Sequence, residues 1–171
     1  MNRSAIVFVA VFLSSLLIFS IVIRIDAVDR NIIVPFTALI ARAGSVTLNL
    51  FGMDTEVIGT VIMGERGFAV DILNGCNGIY VVGIVVSAVL AFPCTKKEKL
   101  VGLALGFAGV QLVNLIRIVS LYYIGLTNPA LFDRFHHYVW QTGVIVLSMA
   151  IWIFWAEVLV AAPATTSRPR A

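Results

Sequence analysis

Four long apolar runs dominate the chain: Ser4 to Ile23, Gly78 to Phe92, Leu100 to Ile124 and Val139 to Ala161. A hydrocarbon core takes about 20 apolar residues to cross as helix, so each run is expected to span a membrane, the second with an extension at either end. Between the first two runs the pattern changes twice. Ile33 to Gly52 mixes apolar residues with Thr37, Arg42, Ser45, Thr47 and Asn49, which predicts a helix lying at the interface or packed against the bundle. In Thr55 to Ile72, Val57, Gly59, Val61 and Met63 alternate with Ile58, Thr60 and Ile62, and Gly64-Glu65-Arg66-Gly67 reads as a turn. That pattern predicts a short β-hairpin, with an irregular loop as its alternative. The expected architecture is an all-α integral membrane protein. It is a bundle of about four transmembrane helices with an interfacial helix and a short extracytoplasmic β-hairpin or loop. Residues 1–162 are expected to form one membrane domain, and the small, polar, basic residues 163–171 are expected to form a disordered cytoplasmic tail.

Composition sharpens this reading. Of the 171 residues 60% are hydrophobic and 12% charged, against about 25% charged in soluble domains. Charge then orients the bundle. Arg3, Lys96, Lys97, Lys99, Arg168 and Arg170 fall on one set of ends and loops, with Glu98 among them. The other set mixes Arg24, Arg30, Arg42, Arg66 and Arg134 with Asp26, Asp29, Asp54, Glu56, Glu65, Asp71 and Asp133. Lysine and arginine collect on the cytoplasmic side. Both termini are therefore expected inside, and Asp26 to Asn77 and Gly125 to Tyr138 outside. This bias accounts for the net charge of +3, so no nucleic-acid partner is needed. The first run exceeds the roughly 7–15 residues of a signal-peptide core and lacks a convincing cleavage site, so it reads as a retained anchor. Cys76 and Cys94 flank the second span, roughly 27 Å apart along a helix. A disulfide needs Cα atoms within about 7 Å, so the two are expected to stay free.

Three polar features converge on the expected outer face. Cys76 lies in Asn74-Gly75-Cys76-Asn77-Gly78, where the glycines allow a sharp turn and Asn74 or Asn77 is placed to cap the following helix. In the first turn of that helix the thiol would feel the positive end of the dipole; the alternative is a small buried cysteine. Gln111, Asn114 and Arg117 recur at three-residue spacing and share a helix face. A guanidinium within an apolar span is costly. It reads either as a fork for a developing oxyanion or as a contact holding helices together. His136 and His137 are the chain's two histidines and precede the last span. One alone is an unremarkable interfacial residue, but an imidazole beside Cys76 can take its proton and return it to a leaving amine. The parts are those of cysteine-based acyl transfer. There is no Gly-x-Ser-x-Gly elbow, zinc helix or Walker loop. Adjacent histidines are not the usual metal-ligand spacing, and no step requires a cofactor.

Asn-Gly-Cys-Asn-Gly at a span entrance, Asn-Leu-Ile-Arg-Ile in the next span and a histidine before the following one together resemble the exosortase/archaeosortase family of membrane transpeptidases. The stretches Asp71 to Tyr80 and Phe135 to Gln141 look most like its compact exosortase H branch, and the resemblance covers roughly Val57 to Ile153. It implies a multi-pass enzyme of the bacterial cytoplasmic membrane with its active site facing outward. Such an enzyme cleaves exported proteins that end in a short motif, an apolar helix and a basic tail, by way of a cysteine thioester. An amine acceptor or water would resolve the thioester. By this resemblance the nucleophile is Cys76, the arginine Arg117 and the histidine His136, with His137 as the second candidate, while Asn74, Asn77 and Asn114 are expected to support the site. The chain has far fewer spans than larger members of the family. Two other classes compete: a non-enzymatic membrane scaffold or assembly factor, and a transport path along the polar face of the third span.

Overall fold

The computed structural model describes residues 3–64 and 67–161. The tail at residues 163–171 and the tip of the Gly64–Gly67 turn lie outside the described residues. In chain order come α1 (Arg3–Val22), α2 (Asp26–Leu50), β1 (Thr55–Ile58), β2 (Val61–Gly64), β3 (Ala69–Asp71), α3 (Ile79–Ala91), α4 (Lys96–Thr127) and α5 (Pro129–Val160). The protein is an all-α integral membrane protein carrying a small sheet, and α1, α2, α4 and α5 are each long and apolar enough to cross a membrane.

That set differs from the expected spans in two places. The apolar helix α3 has only 13 residues, about 20 Å of rise, because left-handed Gly78 delays its start and extended Phe92 before Pro93 ends it. Conversely, α2 is one helix from Asp26 to Leu50 and passes the length and composition test for a span. A π-helical turn at Asp29–Ile33 carries it into Pro35, which sits in the first turn of regular helix.

Side-chain contacts fix how these rods lie. Phe36 of α2 meets Phe107 of α4, Gly44 faces Ile118, and the Phe51 carbonyl accepts from the Tyr123 hydroxyl. From Phe36 to Phe51, just past its end, α2 thus runs beside Phe107 to Tyr123 of α4 in the same direction. At the other end Trp155 Nε1 donates to the Glu98 carbonyl at 3.0 Å, which makes α5 antiparallel to α4. Phe8 packs near Trp152 and Phe19 against Gly83, so α1 rises over the α3–α5 seam. The 32 residues of α4, about 48 Å, therefore join two layers. The Lys96 half packs with α1, α3 and most of α5 around Val82, Val85, Val89, Val110 and Trp155. The Thr127 half packs with α2 and the sheet around Ala41, Leu48, Ile62, Ile72, Ile118 and Tyr122.

The expected hairpin is a three-stranded antiparallel meander, β1-β2-β3. The pairing Thr55↔Gly64 through Ile58↔Val61 turns at Gly59, whose φ of 64° supplies the left-handed residue of a tight turn. A second pairing runs from Val61↔Asp71 to Met63↔Ala69. Period-two alternation points Ile62, fully buried, into the α2–α4 interface; truncating it to Ala would cost about 2–5 kcal/mol. Thr55 pins the first strand to α2, its hydroxyl lying 2.8 Å from Ser45 Oγ and donating to Asn49 Oδ1 at 2.7 Å.

The expected outer loop from Gly125 to Tyr138 is helical except at a corner on Asn128. Its side chain caps the next helix by accepting from the Leu131 N–H at 3.3 Å, and Pro129 occupies the first helical turn. The polarity of Asn128, Asp133 and Arg134 marks exposure there, not loss of helix.

Candidate active site

Beyond β3 the ladder continues for one residue, with the Ile72 N–H donating to the Thr60 carbonyl at 3.1 Å. The chain then tightens into a turn in which the Cys76 N–H meets the Leu73 carbonyl at 2.9 Å. Gly75 at φ 102° and Gly78 at φ 78° both take left-handed backbone, so helix cannot begin until Ile79. Cys76 consequently sits three residues ahead of α3 rather than in its first turn, which corrects the expected placement on the helix dipole.

Asn77 holds this turn in place. It is fully buried; its Nδ2 donates to Thr37 Oγ1 of α2 at 2.8 Å, and its Oδ1 accepts from the Ile79 N–H at 3.1 Å. Its carbonyl accepts from Gln111 Nε2 of α4 at 3.4 Å. One side chain and its carbonyl thus tie the cysteine turn to three helices; the N-cap of α3 itself is Gly78, with Asn77 one residue outside it. Asn74 does not cap α3 either. Its amide turns away to donate to Asp29 Oδ1 at 2.7 Å on the exposed side.

The sulfur so placed meets both other expected partners. Cys76 Sγ lies 3.2 Å from His136 Nε2, and Arg117 Nη2 donates to the same sulfur at 3.6 Å. His136 stacks on Phe132, ring centroids 5.8 Å apart and planes 9° from parallel. The exposed His137 ring stands edge-on to His136 at 4.8 Å. The histidine doublet is thereby resolved in space: His136 reaches the thiol and His137 flanks it. Phe132 was not anticipated; it lies one helical turn before His136, a neighbour only if the segment is read as helix.

Arg117 is 4% exposed, and the Cys76 sulfur is its hydrogen-bond acceptor among the described residues. No described carboxylate lies within ion-pair distance of it. Burying a guanidinium without a counter-ion costs several kcal/mol. Arg117 lines a cavity of about 40 Å³, shared with Cys76, His136, Ile72 and Leu121, enough for a water molecule. A turn below, Asn114 is fully buried with neither side-chain polar atom partnered among the described residues, and Gln111 Oε1 is likewise without a described partner. More than 90% of buried polar groups are satisfied in folded proteins. The polar face of α4 thus looks inward, as its spacing predicts, and Asn114 lies beneath the site, against Gly78, without touching the sulfur.

Cys94 makes the contrast. It is free, like Cys76, but lies in the α3–α4 link, where burial pushes its thiol up and Lys99 only partly offsets this. No imidazole accompanies it.

A thiol, an imidazole and a guanidinium thus meet around one cavity inside a multi-pass helical membrane protein. Residues 4–156 match the family described as transmembrane exosortase (Exosortase_EpsH), and the chain belongs to that family. Membership points to a membrane transpeptidase of protein sorting. No curated protein and no solved structure matches the chain.

Proposed function

We propose that the chain is a cysteine transpeptidase or peptidase that removes the C-terminal sorting signal, a motif followed by an apolar helix and a basic tail, from exported proteins. The observation that carries this reading is the meeting of Cys76, His136 and Arg117 at one sulfur. His136 Nε2 takes the thiol proton as Cys76 Sγ attacks the substrate carbonyl. Arg117, already desolvated and without a carboxylate partner among the described residues, donates to the oxyanion of the tetrahedral intermediate. The His136 imidazolium returns its proton to the departing amide nitrogen. The apolar helix leaves as an amine, and the exported portion stays on Cys76 as a thioester. An incoming amine or water, deprotonated by His136, then breaks the C–S bond and restores the thiol. The lysine and arginine asymmetry supports placing the site on the outer side of the cytoplasmic membrane with both termini inside.

The test is co-expression with exported proteins that end in an apolar helix and a basic tail, following their mass. Loss of the signal with wild type and its retention with Cys76→Ser is the expected result. Equal processing by the Ser variant would remove the nucleophile from the mechanism.

A further inference from the structure

The mechanism says how a peptide bond is cut but not what holds it over the sulfur, and β3 offers an answer. Its pairing with β2 is bracketed by the hydrogen bonds from Ile72 to Thr60 and from Gly64 to Phe68. Antiparallel pairs alternate between bonded and non-bonded, so Val70 directs its backbone groups to Ile62. Ala69 and Asp71 then direct their N–H and C=O groups to the other side, where β3 is the edge of the sheet. Both residues are exposed, and no described backbone group pairs with those outward groups. Soluble sheets blunt such an edge with lysine, proline, a bulge, a charge or brevity; Ala69-Val70-Asp71 has no lysine, proline or bulge, and although it is only three residues long and ends on Asp71, it still turns the backbone groups of two residues outward.

The open edge borders a groove of about 390 Å³, whose far wall is the α4–α5 corner at Gly125, Phe132 and Asp133. Val70, Asp71 and Phe132 line both this groove and the cavity of Cys76. A chain lying along the edge therefore runs straight into the site. Two carboxylates, Asp71 and Asp133, line the groove, which disfavours an acidic side chain there.

Resting on the proposed function above, we infer that the free edge of β3 is the substrate-docking strand. The extended motif ahead of the exported protein's apolar helix adds as a fourth strand, pairing with the outward backbone groups of Ala69 and Asp71, and so brings its scissile carbonyl to Cys76. Main-chain pairing supplies affinity while the groove selects side chains, as in other strand-addition complexes.

The probe is an exported protein with an apolar helix and basic tail whose shortening requires Cys76, used with the full chain in membranes. Ala69→Pro removes one outward N–H and leaves the β2–β3 ladder intact. At limiting substrate the Pro variant should cleave about 10-fold more slowly, the scale of a lost hydrogen bond with its partner stranded. Its rate of Cys76 alkylation by iodoacetamide should be unchanged. Single prolines walked through the motif of the probe, against unaltered enzyme, should impair cleavage at alternate positions only. This second arm decides the matter should Ala69→Pro fail to fold. Cys76-dependent cleavage that is indifferent to Ala69→Pro, or to the phase of the substrate prolines, overturns strand addition and leaves the cysteine mechanism standing. If the edge cross-links only to a second copy of this chain, it is a dimer contact, and the inference falls. Absence of any Cys76-dependent cleavage removes the functional reading first.

Discussion

Arg117 sets the terms at the level of single residues, because a buried guanidinium without a carboxylate partner among the described residues lowers stability unless something else is gained. Replacing buried charges with apolar side chains of similar volume is often neutral or stabilising by about 1–4 kcal/mol. Arg117→Met should therefore melt no lower than wild type, and on this logic higher, while losing all cleavage. A structural arginine would give the opposite, a protein that fails to accumulate. Arg117→Lys should be nearly as inactive as Arg117→Met, since an ammonium cannot reproduce the planar fork; turnover near wild type with Lys would show that charge alone suffices. His136→Ala should lower cleavage about 10²–10⁴-fold, the usual loss for a general acid–base, with a milder effect for His137→Ala. The check is a hydroxylamine-sensitive thioester on Cys76, which should form at the normal rate only where His136 is intact. The convergence of Cys76, Arg117 and His136 was legible because each residue type is expensive or rare where it stands. Thr37 and Phe132 were not, since a threonine in an apolar helix and a phenylalanine near a membrane surface carry no signal until their neighbours are known.

Among the elements, legibility followed length. The long apolar runs announced α1, α4 and most of α5, whereas the short pieces around the site depended on single backbone angles that hydropathy does not report. Gly59 splits the expected hairpin into a meander, and Gly78 shortens α3 and leaves Cys76 on a turn. His136 itself lies in a π-helical stretch, Phe135–Trp140, a rare geometry that recurs at functional sites. The wider turn of that stretch is invisible to a pattern search tuned to 3.6 residues. Gly78 is the position where element geometry is most exposed to test. A side chain there must adopt φ 78°, and its Cβ would approach Gln111 Nε2 to 3.1 Å. Gly78→Ala should cost about 1–2 kcal/mol from the left-handed backbone alone, with further loss from that contact. It should also slow Cys76 alkylation as the turn shifts away from His136. A variant with unchanged melting and unchanged thiol reactivity would mean that the turn is not what positions the sulfur.

For the whole molecule, the side of the membrane proposed for the site turns on α2. By length and composition α2 qualifies as a span, and if it crossed back after α1, the sheet and Cys76 would lie on the same side as Arg3. Its contacts argue otherwise: from Phe36 beside Phe107 to Phe51 beside Tyr123 it climbs parallel to the Thr127 half of α4. A hydrocarbon core of about 30 Å is shorter than α4 at about 48 Å, so part of the Thr127 half must stand clear of it or lie among head groups. The cluster Arg24, Asp26, Asp29 and Arg30 between α1 and the body of α2 belongs at such a boundary, while Lys96, Lys97 and Lys99 fall at the opposite one, which the proposed orientation makes cytoplasmic. Cysteines introduced at Asp26 and at Thr60, in a chain lacking Cys76 and Cys94, should both react with a membrane-impermeant maleimide added outside intact cells. A cysteine at Lys97 should react only after lysis. Labelling of Asp26 but not Thr60 from outside would make α2 a true crossing and put the Cys76 turn in the cytoplasm. No exported protein could then reach Cys76 after translocation, and the sorting reaction would fail on geometry whatever the chemistry of the three side chains.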